Sequence, residues 1–577
     1  MLICSPWNRA IHPLTPILLL LIGSVAQAAG AQTSGEKASD RPNILFIFTD
    51  DHAYQAISAY GGDLNKTPNI DRLANEGVRF DRCYVTNSIC GPSRACVLTG
   101  KYSHKNGFYT NRSTFDGSQT TFPKLLQHAG YETAIIGKWH LKSNPTGFDH
   151  WQVLPGQGRY YSPQFETAEG TITEPGYVTD VITDKALDWL KGRDDQRPFM
   201  LMVQHKAPHR EWSPGSKHVA DFADVKFPEP KTLFDDYSNR ADAAKQATMR
   251  IADDLRLKED LKVYDPESDY GRVMTKRMSP EEKQAWIAAY SKENEEFNAA
   301  PPEGEELVRW KYQRYMQDYL RTVQSVDDSV GEILDYLAES GLADNTVVIY
   351  ASDQGFYLGE HGWFDKRFMY EQSLRTPFLV RWPGVAKAGS VDDRIVSNVD
   401  FAQTFLELAD VEAADGMQGR SLVPLLKGEQ PADWRTSFYY HYYEGPPAEH
   451  AVAEHYGVTD GRFKLIHYYK LDQWELFDLV NDPDEMQSVY GQPDYAAPRQ
   501  RLLDELKRLR SQLDVTSDDP TDGDSKVHAE GGVNGPKSRR AQRVEERQER
   551  RIERRAKIVP SESVSPDSLS PEDGDSR

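Results

Sequence analysis

The sequence predicts an α/β protein, one large sheet sandwiched between helices, with a smaller α+β unit after it. Two observations predict this. Several short apolar runs show no alternation of apolar and polar positions, which suits strands covered on both faces. Segments with apolar residues three and four apart separate these runs, and strands alternating with helices argue a layered sandwich.

Taken in order, the strands are residues 43–48 (NILFIF), 133–136 (TAII), 199–203 (FMLMV), 346–350 (TVVIY) and 377–381 (PFLVR). Residues 315–337 carry the clearest helical spacing. Residues 222–308 are charged and helical in flavour, and read as an insertion over the core within a catalytic unit spanning 41–417. A smaller unit at 418–515 follows, with strands expected at 438–443, 463–468 and 475–479. No internal repeat is visible.

The two ends differ from this body. Arg9, the apolar run 17–23 (ILLLLIG) and Ala26-Gln27-Ala28 read as a secretory signal over residues 1–28, so the mature protein is expected to be periplasmic or extracellular. The apolar run is too short to span a bilayer. Residues 517–577 are poor in apolar side chains and rich in Asp, Ser, Gly and Pro, which reads as a solvated, disordered tail. Within it, 539–557 holds nine basic and four acidic residues but no apolar stripe for docking. A net charge of −21 over 577 residues excludes general nucleic-acid binding or adhesion to anionic membranes. Four cysteines, three of them after residue 28, exclude a disulfide framework.

Chemistry-bearing residues gather where the apolar runs end. The first strand runs into Asp50-Asp51-His52, and the 346–350 strand into Ser352-Asp353-Gln354-Gly355. The 199–203 strand leads to His205 and then Pro208-His209-Arg210, and the 133–136 strand to Lys138-Trp139-His140. Ligands of open α/β sheets bind beyond the carboxyl ends of the strands. Alone, Asp50-Asp51 or Asp353-Gln354 reads as a turn or a helix cap. Together, three carboxylates and a carboxamide oxygen describe a site for a hard divalent cation, Ca²⁺ or Mg²⁺, and not the thiolate and imidazole set of zinc. Lys138 beside such a site suits an anionic substrate, and Lys138 and His140, two apart, point to one side of an extended chain.

Residues 88–100 (SICGPSRACVLTG) add a cysteine before a helix, with Pro92 in its first turn and Gly100 at its end. A helix N-terminus favours anions, so Cys90 reads as an activated thiol, against the alternatives of a buried structural cysteine or a disulfide with Cys83 or Cys96. Cys90-Gly91-Pro92-Ser93-Arg94 with Leu98-Thr99-Gly100-Lys101 resembles the signature of the type I, formylglycine-dependent sulfatases. The resemblance continues through residues 137–140, His205 to His209, residues 352–355, Lys366 and residues 475–485. It covers about residues 41–490 and is most similar to bacterial mucin-desulfating and N-acetylglucosamine-6-sulfatases.

The resemblance implies an alkaline-phosphatase-like sandwich, a large mixed sheet flanked by helices with a smaller C-terminal α+β subdomain. It implies that Cys90 is oxidised to formylglycine by a formylglycine-generating or anaerobic sulfatase-maturating enzyme. It also implies a metal site of Asp50, Asp51, Asp353, Gln354 and the modified residue 90, usually holding Ca²⁺; Gln354 stands where many members have Asn. One oxygen of the hydrated aldehyde then attacks sulfur. On the same resemblance, Arg94 and Lys138 are expected to stabilise the modified residue, Lys138 and Lys366 to neutralise sulfate oxygens, His205 to protonate the leaving alcohol, and His140 to take the proton that expels sulfate. His209, Arg210, Trp212, His361 and Arg367, with Trp363, are expected as a substrate-binding rim for a sulfated glycan such as 6-O-sulfated N-acetylglucosamine of mucin or glycosaminoglycan. A phosphodiesterase or phosphonate monoester hydrolase of the same superfamily, and a glycan-binding protein with Cys90 unmodified, are the competing readings.

Overall fold

The computed structural model describes residues 41–515; the expected leader at 1–28 and tail at 517–577 lie outside the described residues. Ten strands form the main sheet: β1 (Asn43–Thr49), β2 (Val78–Phe80), β3 (Glu132–Lys138), β4 (His150–Leu154), β5 (Gln164–Thr167), β6 (Gly170–Thr173), β7 (Phe199–Gln204), β8 (Thr346–Ser352), β9 (Phe378–Arg381) and β10 (Ser390–Asp392). Their order is β10-β2-β9-β8-β1-β7-β3-β4-β5-β6. The central strands β8, β1, β7, β3 and β4 are parallel, while β9 and β5 join them antiparallel on the two sides. The sheet is therefore mixed.

Every residue of β1 and β8 is buried, because each strand feeds two cores at once. Ile44, Phe46 and Phe48 enter one apolar cluster with Val347 and Ile349, and Leu45 and Ile47 enter the other with Val348 and Tyr350. Helices close both faces. Ala95, Val97 and Leu98 of α1 (Cys90–Thr99) join the first cluster. Against the second lie α2 (Val178–Gly192) and the long helix that contains the expected 315–337 pattern; its Val326, Val330, Ile333 and Leu337 recur at helical spacing. Burying each such aliphatic side chain is worth about 1.5–3 kcal/mol.

The insertion consists mostly of turns, with short helices at Asp242–Gln246 and Asp269–Thr275 and then α3 (Pro280–Ala299). A Ser279/Glu282 capping box opens α3. The long helix is α4 (Gly304–Glu339), and Phe227, Leu255, Leu261 and Phe297 pack onto its Tyr312, Met316 and Leu320. Further on, β11 (Phe438–Tyr442), β12 (His455–Thr459), β13 (Phe463–Tyr468) and β14 (Gln473–Asp478) make a second, antiparallel sheet. It is covered by α5 (Ala496–Gln512) through Leu502, Leu506 and Leu509. Among the described residues, no helix is long and apolar enough to cross a membrane.

Three strands of one edge, β4 to β6, lack the uninterrupted apolar runs that mark the central strands. The reason is exposure: β4 begins with three half-buried residues, and β6 is exposed along its whole length. What positions the site is the register of the centre. Thr49 pairs with Ser352, Phe48 with Gln204, and Gln204 with Gly137, so the carboxyl ends of β1, β8, β7 and β3 lie level. The next residues of each strand therefore meet in one place.

Candidate active site

Beyond β1, the chain turns at Asp51, whose φ of 67° lies in the left-handed region that Asp tolerates better than most side chains. Two contacts hold this turn. The Tyr319 hydroxyl donates to the Asp51 carbonyl at 2.7 Å and accepts from the Ala53 N–H at 2.8 Å. The Asp51 N–H donates to Asp353 Oδ1 at 3.2 Å, and the Asp353 N–H donates to the Thr49 carbonyl at 3.2 Å. Carboxylate oxygens of Asp50, Asp51 and Asp353 lie within 4.8 Å of one another, and all three residues are fully buried. Gln354 donates Nε2 to Asp51 Oδ1. Its Oε1, like Asp51 Oδ2, is buried without a hydrogen-bond partner. Buried oxygens without donors, clustered in one place, are the donor set a hard cation takes.

Three cations offset the three carboxylates. Arg94 reaches from α1 and bonds Asp353 Oδ2 at 3.0 Å, the Lys138 carbonyl at 3.1 Å and Gln204 Oε1 at 2.8 Å. Its guanidinium thus ties the ends of β3 and β7 to the residue after β8. Lys138 contacts Asp50 Oδ2, and Lys366 contacts Asp51 Oδ1 at 2.5 Å. Burial raises Asp51 to about 6, with Lys366 opposing and Asp353 and Asp365 adding to the rise. For Lys366, burial works against the ammonium but is outweighed by Asp51 and Asp365, which hold its pKa above the ordinary lysine value.

Cys90 is the first residue of α1, and its Sγ donates to Asp50 Oδ1 at 3.3 Å. The expectation of an activated thiol is corrected here. Burial pushes the thiol far up, and Asp353 and Asp51 add to it against the pull of Lys366. Neither disulfide alternative forms, since Cys83, Cys90 and Cys96 are all free.

Of the two histidines four residues apart, His209 and not His205 lies at the cluster. His209 groups with Asp50 and Cys90 within 4.8 Å, and its Nε2 is 3.8 Å from Asp51 Oδ2. Its Nδ1 lies 2.6 Å from the Arg210 carbonyl, which can only accept, so Nδ1 carries the hydrogen and Nε2 faces the acidic groups. His205 is fully buried, with its N–H on the Phe48 carbonyl and Nε2 at 3.1 Å from Ser329 Oγ of α4. The strand's course explains this: His205 still follows β7, and the chain turns toward the site only after it. His140 is half-buried with φ 59°, so the extended geometry expected from Lys138 breaks there. Burial, with Lys138 and Arg94 adding, keeps its imidazole neutral.

The expected rim is corrected too. Trp212 and Trp363 are fully buried, Trp212 at 4.7 Å from the Tyr315 ring and Trp363 stacked on Phe368 at 4.7 Å. His361 is also buried, held by Asp235 at 3.1 Å. These rings pack the insertion against the residues around Lys366. Arg210 makes a two-pronged bond to Asp260, both arms at 2.7 Å. Arg367 (φ 101°) bonds Asp365 Oδ1 at 3.1 Å and Tyr442 at 3.4 Å, while Asp365 (φ 80°) meets His450 Nε2 at 3.2 Å. Asp365 and Arg367, both buried and both at positive φ, thus flank Lys366 on either side. Sequence reasoning missed Asp365, His450 and Gln157. Asp365 sits next to Lys366 and Gln157 lies between two glycines, which are usable signals; His450 carries none.

Comparison with known proteins accords with this geometry. The sulfatase family model matches residues 42–411, and the model for the C-terminal part of N-sulphoglucosamine sulphohydrolase matches residues 359–512. The chain is 50% identical over 513 residues to an N-acetylglucosamine-6-O-sulfatase of Bacteroides thetaiotaomicron, covering 87% of this chain and 91% of that protein. It superposes with a TM-score of 0.81, at 50% identity, on a structure in complex with its substrate D-glucosamine-2-N,6-O-disulfate, covering 83% of this chain and 99% of that one. A phosphonate monoester hydrolase of Agrobacterium radiobacter, 21% identical with a TM-score of 0.60 over 82% of this chain and 96% of its own, shares the fold.

Because Arg94 is nearly fully buried and opposes a fully buried Asp353, removing it leaves a buried carboxylate without its partner. Arg94→Met is expected to cost about 3–5 kcal/mol in denaturant unfolding. The double variant with Asp353→Asn is expected to recover part of that loss.

Proposed function

The chain belongs to the sulfatase family and is a sulfuric ester hydrolase; from this premise we propose that it removes the 6-O-sulfate of N-acetylglucosamine or N-sulfated glucosamine units in a glycan. One observation carries the substrate choice: half of 513 aligned residues, 87% of this chain, are shared with a protein named as an N-acetylglucosamine-6-O-sulfatase. Export through residues 1–28, a catalytic unit at 41–417 and a C-terminal unit at 418–515 belong to the same proposal.

The donor set fits a hard divalent cation, for which we take Ca²⁺, held by Asp50, Asp51, Asp353, Gln354 and residue 90. When bound, such an ion supplies Lewis acidity to an oxygen on residue 90. Residue 90, once oxidised to formylglycine, supplies a hydrated aldehyde in place of a thiol that burial keeps protonated.

The chain's own residues do the rest. Lys138 and Lys366 offer ammonium groups to the sulfate oxygens. Three carboxylates and three cations sum to zero before any ion enters, so a bound dication makes the site net positive and suited to an anionic ester. A sugar alkoxide is a poor leaving group and needs a proton. Burial, with Lys138, Lys366 and Lys206 adding, favours the neutral His209 imidazole with its hydrogen on Nδ1. Its Nε2 therefore takes up a proton first, favoured by the negative charge of a bound sulfate ester, and then gives it to the leaving oxygen. The neutral imidazole of His140, near Lys138 and Arg94, is suited to take a proton from residue 90. Arg94 acts through Asp353, whose carboxylate it orients. His205 bonds Ser329 of α4 and has no part in this chemistry.

Turnover on a panel of sulfated sugars tests the substrate. Release of sulfate from 6-O-sulfated N-acetylglucosamine or N-sulfated glucosamine is expected with calcium; cleavage only at another position, or preference for an aryl phosphodiester with manganese, overturns the choice. His209→Ala is expected to slow the sugar sulfate by about 10²–10⁴-fold and an aryl sulfate with an acidic phenol far less. His205→Ala is expected to affect both substrates alike, and the reverse pattern returns the acid role to His205.

A further inference from the structure

Lys138 has a second partner besides Asp50. Gln157 Oε1 accepts from its Nζ at 2.5 Å. Gln157 comes from the loop after β4, the strand paired in parallel with β3, and Lys138 lies level with Leu154 in that pairing. Three residues further on, the chain folds back. The Gly158 N–H donates to the Pro155 carbonyl at 3.0 Å, closing a tight turn around Gly156 and Gln157. Gly156 and Gly158 have φ of 58° and 72°, and a Cβ on Gly158 would sit 2.7 Å from the Leu154 side chain. The turn is therefore built for glycine at both sides of one polar residue, and that residue points at Lys138. The same loop then places the Tyr160 hydroxyl on the His209 carbonyl at 2.5 Å.

We propose that Gln157 is a positioning residue for Lys138, a neutral acceptor that fixes the ammonium without cancelling its charge. The proposal rests on the reading of Lys138 as a sulfate ligand. Of the two partners of Lys138, Asp50 also belongs to the carboxylate cluster that is suited to a cation, and a cation there competes with the ammonium for its oxygens. Gln157 is outside that cluster. Its carboxamide oxygen orients Nζ by one hydrogen bond and, being uncharged, adds no negative charge to oppose a sulfate oxygen. A carboxylate at 157 would hold the lysine more strongly but would neutralise it and repel sulfate. The side chain at 157 is thus chosen for its dipole over a charge.

Calorimetric binding of inorganic sulfate to the mature, calcium-loaded protein tests this, with unfolding midpoints measured alongside. Gln157→Glu keeps shape and acceptor and adds one negative charge; it is expected to weaken sulfate binding by roughly ten- to a hundredfold with an unchanged midpoint. Gln157→Met keeps the size and removes the acceptor, and is expected to weaken binding severalfold. Lys138→Met is the reference and is expected to weaken it at least as much as Gln157→Glu. If Lys138→Met loses sulfate while both Gln157 variants bind within twofold of the parent, Gln157 does not position the lysine. If Lys138→Met itself binds sulfate normally, the role of Lys138 is wrong and the proposal falls with it.

Discussion

Three carboxylates buried at adjacent strand ends are the constraint on which the rest of this structure depends. Asp50, Asp51 and Asp353 are all shut away from water, where unpaired charges would cost several kcal/mol each. They persist because Arg94, Lys138 and Lys366 lie directly on them. This pairing places demands on distant parts of the chain. It requires α1 to run under the sheet so that Arg94 can reach Asp353. It also requires Lys138 to end its strand level with the end of β1, and Lys366 to arrive from a loop that has no strand of the main sheet behind it.

The insertion and the second sheet serve the same centre. Tyr319 on α4 clips the left-handed turn at Asp51, and the aromatic core around Trp212 and Trp363 holds the insertion against the Lys366 segment. From β11, Tyr440 donates to the Arg367 carbonyl at 2.5 Å and accepts from the Ser88 N–H at 3.2 Å, linking the approach to Cys90 with the flank of Lys366. Glu444 accepts from the Asn111 N–H at 2.9 Å, and Asn111 Oδ1 accepts from Gly91 at the start of α1 at 3.0 Å. The two sheets therefore share the task of fixing residue 90, which explains why a small C-terminal unit accompanies a catalytic sandwich that is already closed on both faces.

Much of this was legible in the chain, for physical reasons that differ by element. The runs at β1, β7 and β8 could be read because strands covered on both faces must be apolar throughout, and the polar residues that end them stand out. Asp50, Asp51, Asp353 and Lys138 were legible by the same contrast, and Cys90 by its place before a helix in a signature of residues 90–101. The edge strands β4 to β6 were not, since half-exposed strands look like loops. Residue type failed at Trp212 and Trp363, because an aromatic ring beside a motif packs inward or outward with equal chemical ease. Spacing failed at His205 and His209, because only the course of the chain after β7 decides which one reaches Asp51. Gln157 and His450 come to the site through strand order and the second sheet. The glycines on either side of Gln157 mark a turn, but nothing local says which side chain it faces, and His450 has no local signal at all.

Charge balance at the centre is most directly tested by calcium binding itself. Titrated calorimetrically into protein freed of divalent ions by a chelator, calcium is predicted to bind at one site per chain, with binding lost in Asp353→Asn and retained in His205→Ala. Absence of saturable binding, or binding undiminished in Asp353→Asn, would contradict the account of the buried carboxylates as a cation site.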